Sequence, residues 1–300
     1  MYCGESDFVE RGAAFIHEGV DAGEPALILV DRRKIDRLRE RLGGDSALVR
    51  FADMGMVGQN PARLIPAWRE FVDDHHHDQA LRGIGEPIWP GRGDDALGEC
   101  HRHEALLNMA FADANLWVVC PYDVSALDPA TIAMAERNHP FIDDAGGRRR
   151  SRTYPGDERL AAPADDPLPE PPAAALGRTF GAQDLSGLRS WVGATAERLG
   201  LEAAAAQDLV LATSEIATNS VRYGGGGGSL RIWRRGGAVL CEVRDRGRID
   251  DPLAGRRKPV PGQKSGYGLW IANQLCELVQ IRTSSDGSVV RLHMGLPLSI

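Results

Sequence analysis

The chain has no apolar run approaching the ~20 residues that a membrane-spanning helix requires, and this argues against a helical membrane protein. It also lacks an excess of positive charge: the formal net charge is −7 and the isoelectric point about 5.7. Neutralising a nucleic-acid backbone or an anionic bilayer takes a basic surface, so neither direct nucleic-acid binding nor membrane binding is expected, and a protein or small-molecule partner is. Cysteine is sparse and scattered: Cys3, Cys100, Cys120, Cys241 and Cys276 are odd in number and never spaced as C-x-x-C, a pattern that indicates neither a disulfide framework nor a zinc site. The opening Met1-Tyr2-Cys3-Gly4-Glu5 lacks the basic-then-apolar order of a secretory leader. With reduced cysteines, this points to the cytoplasm. No Gly-x-x-x-x-Gly-Lys-Ser/Thr occurs, so a phosphate-cradling P-loop is not indicated.

What is present is a globular composition, 43% hydrophobic and 26% charged, on 300 residues, a length that favours two domains. Between residues 145 and 175 a basic run, Arg148 to Arg150 with Arg152, gives way to Pro155, Pro163, Pro167, Pro169, Pro171 and Pro172. Proline removes backbone donors and favours extended conformations, so 145–175 reads as a semi-rigid linker and the arginines as solvated linker charge. Upstream, residues 1–144 alternate short apolar runs with amphipathic ones: Ala26 to Val30 then Ile35 to Leu42, Leu48 to Phe51 then Ala62 to Val72, Leu116 to Cys120 then Pro129 to Arg137. This alternation predicts βα units around a largely parallel sheet. Downstream, in residues 176–300, helical periodicity over Leu185 to Leu199 and Ala203 to Val221 accompanies strands at Ser229 to Trp233, Val239 to Arg244, Val279 to Thr283 and Ser288 to Met294. The expected result is a two-layer α/β sandwich with an antiparallel or mixed sheet.

Three elements of the C-terminal part carry chemistry. Glu215 and Asn219 stand four residues apart on a predicted helix and so share a face. A carboxylate beside a neutral amide suits Mg2+ and phosphoryl chemistry: the amide offers a carbonyl oxygen to the hard cation and the carboxylate orients or deprotonates a nucleophile. A solvated helix face often carries the same pair, and it becomes informative through the two elements downstream of it. Asp245 and Gly247 close an apolar strand, where a carboxylate can accept from an exocyclic amine such as that of adenine. Gly266 and Gly268 then open a helix, where backbone amides and the helix dipole favour phosphate.

In these residues the chain resembles the GHKL ATPase superfamily, with Glu215 and Asn219 as its N box, Asp245 and Gly247 as its first glycine box, and Gly266-Tyr267-Gly268-Leu269 as its second. The compact length of about 176 to 300 and the closing Gly287-Ser288-Val289-Val290 strand are similar to the anti-sigma-factor serine kinases. One departure is Ile249, where a fuller Asp-x-Gly-x-Gly pattern has its second glycine; it puts in doubt how the lid begins. The resemblance implies a Bergerat-type sandwich, ATP and Mg2+ as cofactors, Glu215 as the catalytic base and Asn219 as the Mg2+ ligand. Asp245, Gly247, Gly266, Gly268 and Leu269 would complete the nucleotide site. It also implies an ATP lid over Arg248 to Lys264, from which Lys264 could pair with the γ-phosphate; alternatively, Arg256, Arg257 and Lys258 sit in a solvated loop. The five-glycine run Gly224 to Gly228 reads as a flexible loop without direct chemistry.

The N-terminal part resembles the MEDS (methanogen/methylotroph, DcmR sensory) domain through Val20-Asp21-Ala22-Gly23-Glu24-Pro25, Arg82-Gly83-Ile84-Gly85-Glu86-Pro87-Ile88-Trp89, Arg102-His103-Glu104-Ala105-Leu106-Leu107-Asn108 and Cys120-Pro121-Tyr122-Asp123. That family looks related to recombinase-like and KaiC-like α/β folds, and the resemblance implies sensing of a small organic ligand. Glu86, His103, Glu104 and Tyr122 are its candidate ligand residues, being polar and near expected strand ends; the alternative is that they satisfy each other and the backbone. A metal held by Cys100, His101, His103 and Cys120 is conceivable, although adjacent Cys100 and His101 are poorly spaced for one helical face. His75-His76-His77 reads as a solvated helix end.

Together these resemblances imply a partner-switching regulator that docks on a sigma factor or an anti-sigma antagonist and phosphorylates a serine of the antagonist, with room for a homodimer. Two rivals stay open. A sensor histidine kinase shares the ATP-binding fold but needs a phospho-accepting histidine on a long dimerising hairpin, and the nearest upstream histidine, His139, is followed by Pro140. The other is a binding module that uses ATP only to dock on its partner.

Overall fold

The computed structural model describes residues 1–160, 162, 166–260, 262 and 266–297. The chain divides near residue 161 into two compact units, each mixed α/β.

In the N-terminal unit, β1 (Ala26–Val30), β2 (Val49–Asp53), β3 (Leu81–Gly85) and β4 (Leu116–Val119) form a parallel sheet of order β2-β1-β3-β4. Every residue of β1 is buried, as expected of a central strand covered on both faces. The helices are α1 (Gly4–Asp21), α2 (Arg32–Leu42), α3 (Met54–Val57), α4 (Leu64–Asp73), α5 (Asp94–Ala110) and α6 (Pro129–Asn138). Their starts are written locally: Asp31 accepts the Lys34 N–H at 3.0 Å to cap α2, and Asp128 accepts the Thr131 N–H at 2.9 Å while Pro129 occupies the first turn of α6. The α1 helix adds to the elements expected from the sequence; its buried Phe8, Ala13 and Ile16 pack into the β1 and α2 core. No helix among the described residues is long and apolar enough to cross a membrane.

The segment read as a spacer differs from that reading at both ends. On the N-terminal side, β5 (Phe141–Asp144) and β6 (Gly147–Arg150) make an antiparallel hairpin, followed by the short α7 (Asp157–Leu160). The arginine run is its second strand: the Arg148 guanidinium lies 4.7 Å from the Trp117 ring centre and 4.8 Å from that of Phe141, and Arg149 pairs with Glu136 and Asp144. On the other side, Leu168 is buried in the C-terminal unit, the Pro169 carbonyl accepts from Arg291 Nη2 at 2.6 Å, and Glu170 pairs with Arg244. Composition shows that proline prevents regular structure; it does not show which side chains the extended backbone meets.

The C-terminal unit comprises β7 (Leu176–Gly181), α8 (Leu185–Arg198), α9 (Ala203–Tyr223), β8 (Gly227–Arg235), β9 (Ala238–Asp245), α10 (Tyr267–Leu275), β10 (Leu278–Ser284) and β11 (Gly287–Gly295). Its five strands form an antiparallel sheet of order β10-β11-β9-β8-β7. Alternation assigns Leu230, Ile232, Cys241, Val243, Val290 and Leu292 to one face, where they pack with Leu188, Val192, Leu209 and Ile216 of α8 and α9. Burying each such side chain contributes roughly 1.5–3 kcal/mol. Gly227 and Gly228 of the glycine run belong to β8, so only Gly224 to Gly226 connect it to α9.

The other face of this sheet holds a buried polar cluster beside Leu240, Trp233 and Leu278. Arg291 and Glu242 are cross-strand partners, 0% and 1% exposed, joined from Nε at 2.9 Å and Nη2 at 2.5 Å. Nearby, His293 faces Gln280 Oε1 at 3.0 Å. Burial, reinforced by the positive charges of Arg235 and Arg291, holds the His293 imidazole down to about 3. Since the unfolded imidazole titrates near 6.5, the stability carried by neutral His293 is present above that pH and is lost as pH falls toward 3, at about 1.4 kcal/mol per unit. In urea unfolding at pH 6.5 and pH 5, His293→Gln is therefore expected to lose about 2 kcal/mol less than the parent. Equal losses would show that His293 is not the group responsible.

Candidate functional site

Helix α9 is the spine of the C-terminal site. Ala206, Leu209, Thr213, Ile216 and Ser220 form its buried stripe at helical spacing. Glu215 and Asn219 stand half-buried beside that stripe, as the i, i+4 spacing predicts. They meet α10 at Gly268: a Cβ built on that glycine would stand 3.0 Å from Asn219 Nδ2 and 3.2 Å from Glu215 Oε2, so a residue without a side chain is what lets the start of α10 lie against this face of α9. The chain enters α10 through Gly266 at φ +98°, a conformation that glycine adopts without strain.

Next to Asn219 on the same helix, Ser220 Oγ donates to Asp245 Oδ2 at 2.5 Å, and the Gly247 N–H donates to Asp245 Oδ1 at 2.8 Å. The carboxylate at the end of β9 is thereby oriented from both sides, and each oxygen keeps acceptor capacity. The turn after it is held by groups that sequence reasoning missed. Ser288 Oγ donates to the Gly247 carbonyl at 2.9 Å and lies 3.0 Å from Thr283 Oγ1, which accepts the Ile249 N–H at 3.3 Å. Ile249 itself packs against the core, so where a second glycine would leave the chain loose, the segment that follows starts from an anchored residue. Thr283 falls in no motif, and Ser288 belongs to the closing Gly287-Ser288-Val289-Val290 string, which marks a strand and gives its hydroxyl no role.

The segment after Ile249 is also more anchored than a solvated loop. Leu253 is 1% and Arg256 7% exposed, and the Gly255 carbonyl accepts from Asn273 Nδ2 at 3.0 Å on α10. Arg257 and Lys258 are exposed. Leu269 is half-buried against the core, with its backbone beside Gly255. Lys264, the expected γ-phosphate partner, lies outside the described residues.

In the N-terminal unit the four candidate ligand residues separate. Glu86, just past β3, accepts from Tyr2 Oη at 2.6 Å and from Lys34 Nζ at 2.7 and 2.6 Å. Burial raises its carboxyl and the Lys34 charge opposes that rise; this pair is satisfied internally. Glu104 on α5 and Tyr122 beyond β4 do come together, the tyrosine hydroxyl donating to Glu104 Oε2. Both line a cavity of about 550 Å³ together with Cys120, His139, Trp117 and Phe141. Burial pushes the Glu104 carboxyl and the Tyr122 hydroxyl up. His103 is buried but does not line that cavity. Cys100 donates to the Pro87 carbonyl at 3.3 Å, and the metal-spaced cluster among the described residues joins Cys120 to Glu104 and His139 rather than to Cys100 and His101.

Residues 1–140 match the family model of the MEDS (methanogen/methylotroph, DcmR sensory) domain, and residues 181–294 that of the histidine kinase-like ATPase domain. No curated protein matches the chain. Among solved structures, the RsbU and RsbW domains of a Mycobacterium tuberculosis protein align at 22% identity and a TM-score of 0.32, over 42% of this chain and 33% of that one. The chain thus spans about a third of the length of that relative. The histidine kinase AdeS of Acinetobacter baumannii aligns at 9% identity and a TM-score of 0.25, over 41% of this chain and 68% of its own. The chain joins a MEDS sensory domain to a histidine kinase-like ATPase domain.

Proposed function

We propose that the C-terminal unit binds ATP with Mg2+ and transfers its γ-phosphate to a serine or threonine of a protein partner, an anti-sigma antagonist, in a switch that also involves a sigma factor, under control of a small ligand at the N-terminal unit. The observation that carries this reading is the double engagement of α9: Ser220 orients Asp245, while Asn219, next to it, and Glu215, a turn earlier, abut Gly268. One helix thus links the carboxylate suited to an adenine amine, the amide suited to Mg2+ and the glycine turn suited to phosphate. In this reading Asn219 holds the metal and Glu215 takes the proton of the attacking hydroxyl. Phosphoryl transfer needs mainly positioning and charge neutralisation, which bound Mg2+ and the backbone amides around Gly266 to Leu269 would supply.

Against the histidine-kinase reading, His139 ends a ten-residue helix and its Nδ1 contacts the Ala135 carbonyl at 2.8 Å, an arrangement unlike a dimerising phospho-acceptor hairpin. The discriminating experiment is affinity capture with the full chain and ATP, followed by phosphosite mapping of the retained proteins. Acid-stable phosphoserine or phosphothreonine on a retained partner is expected. Acid-labile label on the chain itself would replace this reading by the histidine-kinase one, and partner retention without any label would favour the binding module.

The glycine contact has its own test. Gly268→Ala sets a methyl 3.0 Å from Asn219 Nδ2 and 3.2 Å from Glu215 Oε2, so both side chains must shift away from the glycine turn. About tenfold weaker ATP binding is expected by isothermal titration, with the fold retained by circular dichroism. Unaltered affinity would mean that this turn does not face the nucleotide.

A further inference from the structure

Three side chains that are distant in sequence converge in the N-terminal unit: Glu104 from α5, Cys120 just beyond β4, and His139 at the end of α6. One ligand-type atom from each lies within 4.8 Å of the other two. The spot is at the carboxyl end of β4, the edge of a parallel sheet at which ligands gather.

Four further features belong to a metal centre more than to a packed core. Glu104 is 2% exposed, and its Oε1 is buried with the Cys120 thiol as its neighbour, so a carboxylate and a thiol share one spot removed from water. Its other oxygen is fixed by the Tyr122 hydroxyl. The His139 Nδ1 sits 2.8 Å from the Ala135 carbonyl, a contact that needs the proton on Nδ1 and leaves the Nε2 lone pair to coordinate. Metal-ligating histidines characteristically tie down their other ring nitrogen in this way. Finally, Glu104, Cys120 and His139 all line the 550 Å³ cavity, so a bound ion would keep an open position.

We propose that Glu104, Cys120 and His139 form a Zn2+ site with a fourth position open to this cavity. A thiolate, an imidazole and a carboxylate suit a borderline ion; Mg2+ and Ca2+ prefer all-oxygen sets. Two anionic ligands and a neutral imidazole balance the divalent charge, and the thiol proton passes to solvent as the ion binds. Tetrahedral zinc holds its ligand atoms roughly 3.3–3.8 Å apart, a spacing compatible with the 4.8 Å that bounds this cluster. Water, or a small molecule with a nitrogen, oxygen or sulfur donor, would take the open position, against Trp117 and Phe141.

The test is titration of the chelator-treated full chain with Co2+, whose spectrum reports its ligands. One equivalent per chain is expected to bring visible d–d bands and a thiolate-to-cobalt charge-transfer band, both removed by one equivalent of Zn2+. Cys120→Ser should abolish the charge-transfer band, and His139→Gln should weaken Co2+ binding by about tenfold or more. A parent protein without the band, or a Cys120→Ser protein that keeps it, overturns the proposal. Should Cys120→Ser fail to fold, the half-exposed His139 decides: unchanged Co2+ affinity in His139→Gln overturns it.

Discussion

Asp245→Asn is expected to weaken ATP binding by about ten- to hundredfold, because a lost hydrogen bond with a buried partner left unpaired costs about 1–3 kcal/mol. The structure sharpens the reason. Both carboxylate oxygens of Asp245 already accept, one from Ser220 Oγ and one from the Gly247 N–H. An amide nitrogen in place of either oxygen removes an acceptor, so adenine's amine competes with the two donors that position the residue. Ser220→Ala removes only one of those donors and should cost less, about 0.5–1.5 kcal/mol. Guanine presents a carbonyl where adenine has its amine, so the parent should prefer ATP over GTP. Isothermal titration of the full chain with both nucleotides and Mg2+ measures all of this. Equal ATP and GTP affinities, or an Asp245→Asn protein that binds ATP like the parent, would show that Asp245 does not read the base.

Glu215→Gln should have the larger effect on chemistry and the smaller one on binding. The substitution keeps the volume that rests against Gly268 and removes the proton acceptor, and a positioned general base contributes about 10²–10⁴-fold. Transfer of γ-phosphate to the captured partner is expected to fall by about that factor, with ATP affinity changed only slightly. Transfer at the parental rate would remove Glu215 from the role of base. A parallel loss of ATP binding would assign it instead to metal or nucleotide positioning.

Much of the C-terminal site is legible in the sequence because its parts are local strings. Glu215 and Asn219 share a face by helical spacing alone, Asp245 closes an apolar strand, and Gly266 and Gly268 precede an apolar helix. What holds these strings is not legible. Ser220 lies on the buried stripe of α9, and Thr283 and Ser288 are cross-strand neighbours; a hydroxyl in such places usually only satisfies the backbone. The segment after Ile249 misleads for a similar reason. Its charges suggest solvation, yet Leu253 and Arg256 are buried. In the N-terminal unit, the sequence presents His139 only as a candidate phospho-acceptor, and it offers Glu104 and Cys120 to different groupings.

The sequence by itself determined most of the helices and strands, the two-part α/β organisation and the order of the C-terminal strings, because backbone preference and side-chain periodicity act over a few residues and can be read there. Tertiary structure alone decided which polar groups meet. Strand order and helix docking bring Ser220 to Asp245, Arg291 to the Pro169 carbonyl, and Glu104 to Cys120 and His139. Those pairings depend on the long-range packing of two cores, and burial makes them consequential: a polar atom removed from water must find its partner wherever the fold places one.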